Sequence, residues 1–266
     1  MSTSSGIVVG VDESEGAAVA LRWAAREAQL RRVPLTAVLA WSYLDQHHVP
    51  AAPFDPHYGE DDAQDALEAV VAQAVGPGAA PSVELRTECD LAVPALLRAA
   101  EGAVLLAVGA RGTGGFENLL LGSVSSQLVH HARVPVAIVR EVASPSPGEH
   151  VVVGVDGSAQ AAAALAWALE EARLRSARLT VVHAGDRAVP ATLDAAVDAV
   201  DPTGVALERL LVADSPAAAL LAAAADADLV VVGSRGRGGF REALLGSVSH
   251  HVTQHAPCPV VVLRSA

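Results

Sequence analysis

One stretch constrains this chain more than any other, because it occurs twice. Residues 109–125 read GARGTGGFENLLLGSVS, and residues 233–249 read GSRGRGGFREALLGSVS. Each copy follows an apolar run, 104–108 or 229–232, of the kind that forms a parallel strand buried on both faces. Each then passes through Gly-Ser-Val-Ser into an amphipathic stretch. Strand, glycine loop and helix in that order present bare backbone N–H groups to an anion. Glycine lets the backbone approach phosphate oxygens closely. Ser123 and Ser247 stand where helix N-caps are expected, with Ser125 and Ser249 just inside. Their hydroxyls are suited to cap the helix or reach a phosphate. The expectation is a phosphorylated small molecule held at two such loops.

The duplication extends well beyond the loops. Asp12, closing VVGVD, returns as Asp156, 144 residues on, and residues 8–40 match 152–184 at 20 of 33 positions. The glycine segments return at an offset of 124, with 11 identities in 22 between 119–140 and 243–264. The second copy therefore lacks about 20 residues in its middle. Two similar domains follow, 1–143 and 149–266, separated by a Pro/Ser/Gly-containing linker at 141–149.

Within the first copy, strands are expected at 7–11, 35–40, 83–86, 104–108 and 136–140. Helices are expected from Ser14 onward and at 63–75, 92–100 and 123–131. This alternation predicts an α/β fold with a parallel, doubly wound sheet. The second copy repeats it, with only 192–200 left of the second helix. Trp23 and Trp167 occupy equivalent helix positions and read as core anchors.

Composition narrows the chemistry. Hydrophobic residues make up 52%, enough for a substantial core, and the net charge of −12 argues against nucleic acid or an anionic membrane as partner. An anionic ligand must then be held by local donors. All 18 basic residues are arginine. The absence of lysine excludes a Walker P-loop, a kinase-type phosphate clamp and Schiff-base chemistry. The two cysteines, Cys89 and Cys258, lack metal-site spacing and read as buried thiols in a reducing compartment. Without a signal-like N-terminus or an apolar run long enough to span a membrane, the expected location is the cytoplasm.

In open α/β sheets, ligands bind beyond the carboxyl ends of the strands where strand order reverses. Asp12 and Asp156 close first strands, and the glycine loops close fourth strands. A carboxylate there can accept both ribose hydroxyls while the loop holds phosphates; a plain turn role before a helix is the competing reading. Arg111, Arg235 and Arg237 lie in the loops, either to pair with phosphate or as solvated side chains. The pairs His130–His131 and His250–His251 are adjacent on helices, pointing about 100° apart, which makes a poor chelate and favours a structural or surface role. The dinucleotide fingerprint is absent after strand one.

The pattern Gly109-x2-Gly112-x9-Gly122-Ser123, repeated as Gly233-x2-Gly236-x9-Gly246-Ser247, resembles the ATP-binding motif of the universal stress protein family. The resemblance covers both copies. It implies a five-stranded parallel sheet of order 3-2-1-4-5 in each. By that analogy Asp12 and Asp156 contact ribose, and the backbone at Ala40 and Ala184 contacts adenine. The triphosphate would be held by Gly109, Gly112, Gly122, Ser123, Val124 and Ser125, and by Gly233, Gly236, Gly246, Ser247, Val248 and Ser249. Mg²⁺ would be held mainly by the phosphates. The resemblance also implies pairing of the last strands, 136–140 with 260–264, a possible homodimer, and an unidentified regulatory protein partner. The resulting expectation is an ATP-binding stress-response regulator without catalytic residues. The alternatives are a slow ATP hydrolase, an adenylyl-transfer enzyme, or a nucleotide-free interaction module. The shortened second copy is expected to hold its ligand in a more open site.

Overall fold

The computed structural model describes residues 6–42, 57–76, 82–113, 120–140, 149–185, 188–236 and 245–264. Two compact units divide the chain, Met1–Arg140 and Glu141–Ala266.

The first unit runs β1 (Ile7–Val11), α1 (Glu15–Arg31), β2 (Leu35–Trp41), α2 (Glu60–Val75), β3 (Val83–Cys89), α3 (Ala92–Ala99), β4 (Leu105–Gly109), α4 (Ser123–His131) and β5 (Val136–Val139). Its strands lie in the order β3-β2-β1-β4-β5, all parallel. The second unit runs β6 (His150–Gly154), α5 (Ala159–Arg175), β7 (Arg178–Ala184), α6 (Pro190–Asp198), β8 (Leu207–Val212), α7 (Pro216–Ala223), β9 (Leu229–Gly233), α8 (Ser247–His255) and β10 (Val260–Leu263). Its order is β8-β7-β6-β9-β10, again parallel. Both are the expected 3-2-1-4-5 arrangement.

Central strands read as unbroken apolar runs because helices cover both faces of a parallel sheet. Every residue of β1 and β4 is buried. Against them α1 lays a face of small residues, Ala17, Ala20, Leu21, Ala24 and Ala28. The approach is so close that a Cβ on Gly109 would stand 2.7 Å from the carbonyl carbon and oxygen of Gly16. Ser14 starts α1 by accepting the Ala17 N–H at 3.1 Å, and Ser158 starts α5 by accepting that of Ala161 at 3.2 Å. Both helices end on a left-handed residue, Arg32 and Ser176, each at φ 55°. The cap N–H there donates to two carbonyls of the last turn, so the backbone repeats even where glycine, the usual left-handed residue, is absent.

Several sequence expectations shift. β2 and β3 run on to Trp41 and Cys89. α2 begins at Glu60, because Asp62 accepts the Gly59 N–H at 2.8 Å and three acids favour the positive helix start. α6 begins at Pro190, whose fixed φ suits a first helical position. Trp23 and Trp167 are half-buried rather than core anchors. A helix packed on the sheet through alanines leaves no depth for an indole, which stays at the flank. Cys258 is buried, but Cys89, ending the outermost strand of the first unit, is exposed. Among the described residues no helix is long and apolar enough to cross a membrane.

Candidate functional site

The chain leaves β1 toward β2 on one side and has β4 on the other, so strand order reverses between β1 and β4. The carboxyl ends of these strands bring Asp12 and the glycine loop together. Asp12 Oδ1 accepts the Ser14 N–H at 3.0 Å and the Ser14 hydroxyl. Asp12 Oδ2 accepts the Thr113 N–H at 3.0 Å across 101 residues of chain. Gly112 must lack a side chain here, since its Cβ would meet Asp12 Oδ2 at 2.4 Å. The second unit repeats the arrangement. Asp156 Oδ1 accepts the Ser158 N–H at 3.0 Å, and a Cβ on Gly236 would meet Asp156 Oδ2 at 2.3 Å. Each aspartate thus fills the turn role and faces the glycine loop at once.

The helix starts differ from the sequence expectation. Gly122 and Gly246 are the N-caps, and Ser123 and Ser247 are the first helical residues. The Gly122 N–H donates to Ala110 O at 2.8 Å, and that of Gly246 to Ser234 O at 2.7 Å. Ser125 and Ser249 are buried, and their hydroxyls donate to Gly109 O at 2.7 Å and Gly233 O at 2.6 Å. Those protons tie each helix to the end of its strand instead of pointing outward. No side chain caps α4 or α8. The first intrahelical bonds come from the N–H of Ser126 and of His250. The N–H groups of Ser123, Val124 and Ser125, and of Ser247, Val248 and Ser249, have no partner among the described residues. Three adjacent donors at the positive end of a helix form an anion site.

The glycines divide by what surrounds them. Gly109, Gly112, Gly233 and Gly236 are crowded by the protein itself, with built Cβ contacts of 2.3–2.9 Å. Gly122 and Gly246 are not: their nearest neighbours to a Cβ lie at 3.5 and 3.4 Å, and both hold φ near −70°, open to any residue. Among the described residues a methyl group there meets only ordinary van der Waals contacts.

Ala40 and Ala184 lie half-buried at the ends of β2 and β7. Arg111 is exposed, whereas Arg235 is half-buried, its enclosed Nε without a partner among the described residues. Arg237 lies outside the described residues, as do Gly114 and Gly115. Among the described residues no three His, Cys, Asp or Glu side chains converge as a metal site.

Two features escaped the sequence reading. Trp41 and Tyr58 meet edge-to-face beside Ala40, centroids 6.0 Å apart. Burial, then the charges of Glu13 and Asp62, push the Tyr58 phenol up to about 12, which places that ring near the residue following Asp12. The equivalent of Trp41 in the second unit is Gly185. There His183 takes the place of Leu39, buried, with Nδ1 on Val155 O at 2.8 Å. An aromatic residue ending β2 beside a proposed base contact was the available signal for the first.

This architecture is that of a doubly wound parallel α/β domain, duplicated. The universal stress protein family model matches residues 5–140, 148–213 and 186–264. A universal stress protein of Mycobacterium tuberculosis is 40% identical over 291 residues, spanning 99% of this chain and 98% of the relative. One from Mycolicibacterium smegmatis is 35% identical, spanning 98% of both. The crystal structure of a universal stress protein from Archaeoglobus fulgidus superposes with a TM-score of 0.75 at 23% identity, covering 99% of this chain and 100% of that one, a likeness of fold. The chain belongs to the universal stress protein family.

Proposed function

We propose that this chain is a cytoplasmic, ATP-binding stress-response regulator whose nucleotide occupancy tunes stability or the binding of a protein partner. The observation that carries the reading is the start of α4 and of α8. Three adjacent N–H groups, without a partner among the described residues, stand beside a glycine whose Cβ would meet no described atom closer than 3.4 Å, with an aspartate carboxylate across the crevice. Phosphate oxygens suit the donors, and ribose hydroxyls suit the carboxylate. Asp12, Gly112, Gly122, Ser123, Val124 and Ser125 would hold one nucleotide, with Ala40 at its base. Asp156, Gly236, Gly246, Ser247, Val248 and Ser249 would hold the other, with Ala184. Gly109 and Gly233 act by letting α1 and α5 pack closely. Mg²⁺ would ride on the phosphates, and Arg111 and Arg235 would lend positive charge from the loops.

The test is calorimetric titration of the nucleotide-stripped full chain with ATP and Mg²⁺, alongside Gly122→Ala and Gly246→Ala. A methyl at either position leaves the fold undisturbed and intrudes where phosphate would lie. Each substitution is expected to remove the heat of one site while the melting midpoint stays in place. An absence of ATP binding at millimolar concentration, with no nucleotide released on denaturing the purified protein, ends this reading and leaves an interaction module.

A further inference from the structure

A different set of residues lies along the second half of α8, about 6–12 Å from its first residue, Ser247, at 1.5 Å per residue. Of the ten histidines, only His251 and His255 stand four apart. On a helix this spacing puts both on one face. Both are exposed, and their rings stack with centroids 4.2 Å apart and 25° between planes. The Nδ1 of His255 lies 2.9 Å from the carbonyl oxygen of His251. A carbonyl only accepts, so Nδ1 carries the proton and donates, and Nε2 keeps its lone pair toward solvent. A backbone carbonyl holding Nδ1–H is the usual support of a metal-bound imidazole, because it fixes the tautomer and the ring plane.

We infer that His251 and His255 form a chelate for a divalent transition-metal ion, Cu²⁺, Ni²⁺ or Zn²⁺, with water filling the remaining positions. Bonds of about 2.0–2.1 Å from two Nε2 atoms to one ion are within reach of rings this close after small side-chain rotations. Imidazole nitrogen selects these metals over Mg²⁺ or Ca²⁺. The overall charge of −12 raises the local concentration of cations. The adjacent pairs His130–His131 and His250–His251 do not share this geometry; the first pair stands edge-to-face at 6.4 Å. In the first unit Gln127, exposed on α4, occupies the place of His251, and His131 that of His255. The site therefore belongs to the second unit alone, and it does not depend on nucleotide binding.

The experiment titrates untagged full-length chain carrying Cys89→Ser, which removes an exposed thiol, with NiCl2 and ZnCl2 by calorimetry at neutral pH. A single ion is expected per chain. His251→Ala and His255→Ala should each weaken binding by about tenfold or more. His250→Ala should leave it unchanged. Gln127→His, which recreates the spacing on α4 with His131, should add a second ion. Binding that survives both alanine substitutions, no binding up to millimolar metal, or no second ion with Gln127→His would each overturn the assignment.

Discussion

The two units build closely similar helix starts, where the nearest described atoms to a Cβ on Gly122 and Gly246 lie at 3.5 and 3.4 Å, yet the ends of their second strands differ. In the first, Trp41 meets Tyr58 edge-to-face beside Ala40. A 16-residue α2 backs the outer strand, β3. In the second, a nine-residue α6 remains, Gly185 stands where Trp41 would, and Leu211 on β8 is exposed. The shorter second copy thus keeps the glycine helix start and lacks the Trp41–Tyr58 pair. That helix start is built from backbone, so it survives loss of a distant segment. The aromatic pair depends on a side chain brought in by that segment.

The sharpest way to break this comparison is at the crowded glycines. Gly109→Ala sets a methyl 2.7 Å from Gly16 backbone, and Gly233→Ala sets one 2.9 Å from Gln160 Cβ. Each should lower stability by about 1–3 kcal/mol in urea unfolding. Gly122→Ala should change it by less than about 0.5 kcal/mol. Equal losses at Gly109 and Gly122 would erase the distinction between packing and binding glycines. Next in size, Trp41→Ala should weaken ATP binding to the first crevice by about 1–2 kcal/mol, as loss of base stacking does, and leave the second unchanged. Competition calorimetry against Gly246→Ala separates the two sites. If Trp41→Ala leaves both affinities alone, the aromatic pair is not a base wall.

Smaller effects follow. Ser14→Ala and Ser158→Ala each remove an N-cap and should cost about 1 kcal/mol. Ser14→Ala also removes the hydroxyl's bond to Asp12. The smallest effect concerns pH. His150 is buried against Thr180, with Arg178, Asp226 and Asp228 around it, and its first-unit counterpart is Gly6. Burial, then the positive charge of Arg178, lowers its pKa below 6.5, against the opposing pull of Asp226. The folded state therefore resists the proton that the unfolded chain accepts. Stability from this group is full above 6.5 and declines as pH falls below that value toward the folded one. Stability measured between about pH 7 and pH 5 should slope less in His150→Gln than in the parent.

Much of the molecule was legible in its sequence, for a local reason. Buried β-branched runs, amphipathic helices and glycine punctuation are written in short windows, and their alternation admits few topologies. Duplication doubled each signal, so two parallel α/β units followed; the strand order came with the family resemblance, and the structure set Asp12 beside the loop. Asp228, which stands where the first unit has Val104, is structural: its carboxylate accepts the His150 N–H at 2.9 Å. What spacing could not say is which atoms face which. Ser123 looked like an N-cap, but Gly122 holds that place, and the Ser125 hydroxyl turns inward to Gly109. Trp23 looked like core, but close alanine packing leaves it at the flank.

The sequence by itself determined the duplicated α/β architecture, the family and the chemical types gathered at each crevice. Tertiary structure alone decided which glycines are crowded by the protein and which are not. It alone brought Trp41 to Tyr58 and stacked His251 on His255. The physical reason is range: secondary structure is fixed by neighbours within a few turns, whereas a contact such as Asp12 with Thr113 exists only once the sheet has closed over a hundred residues of chain.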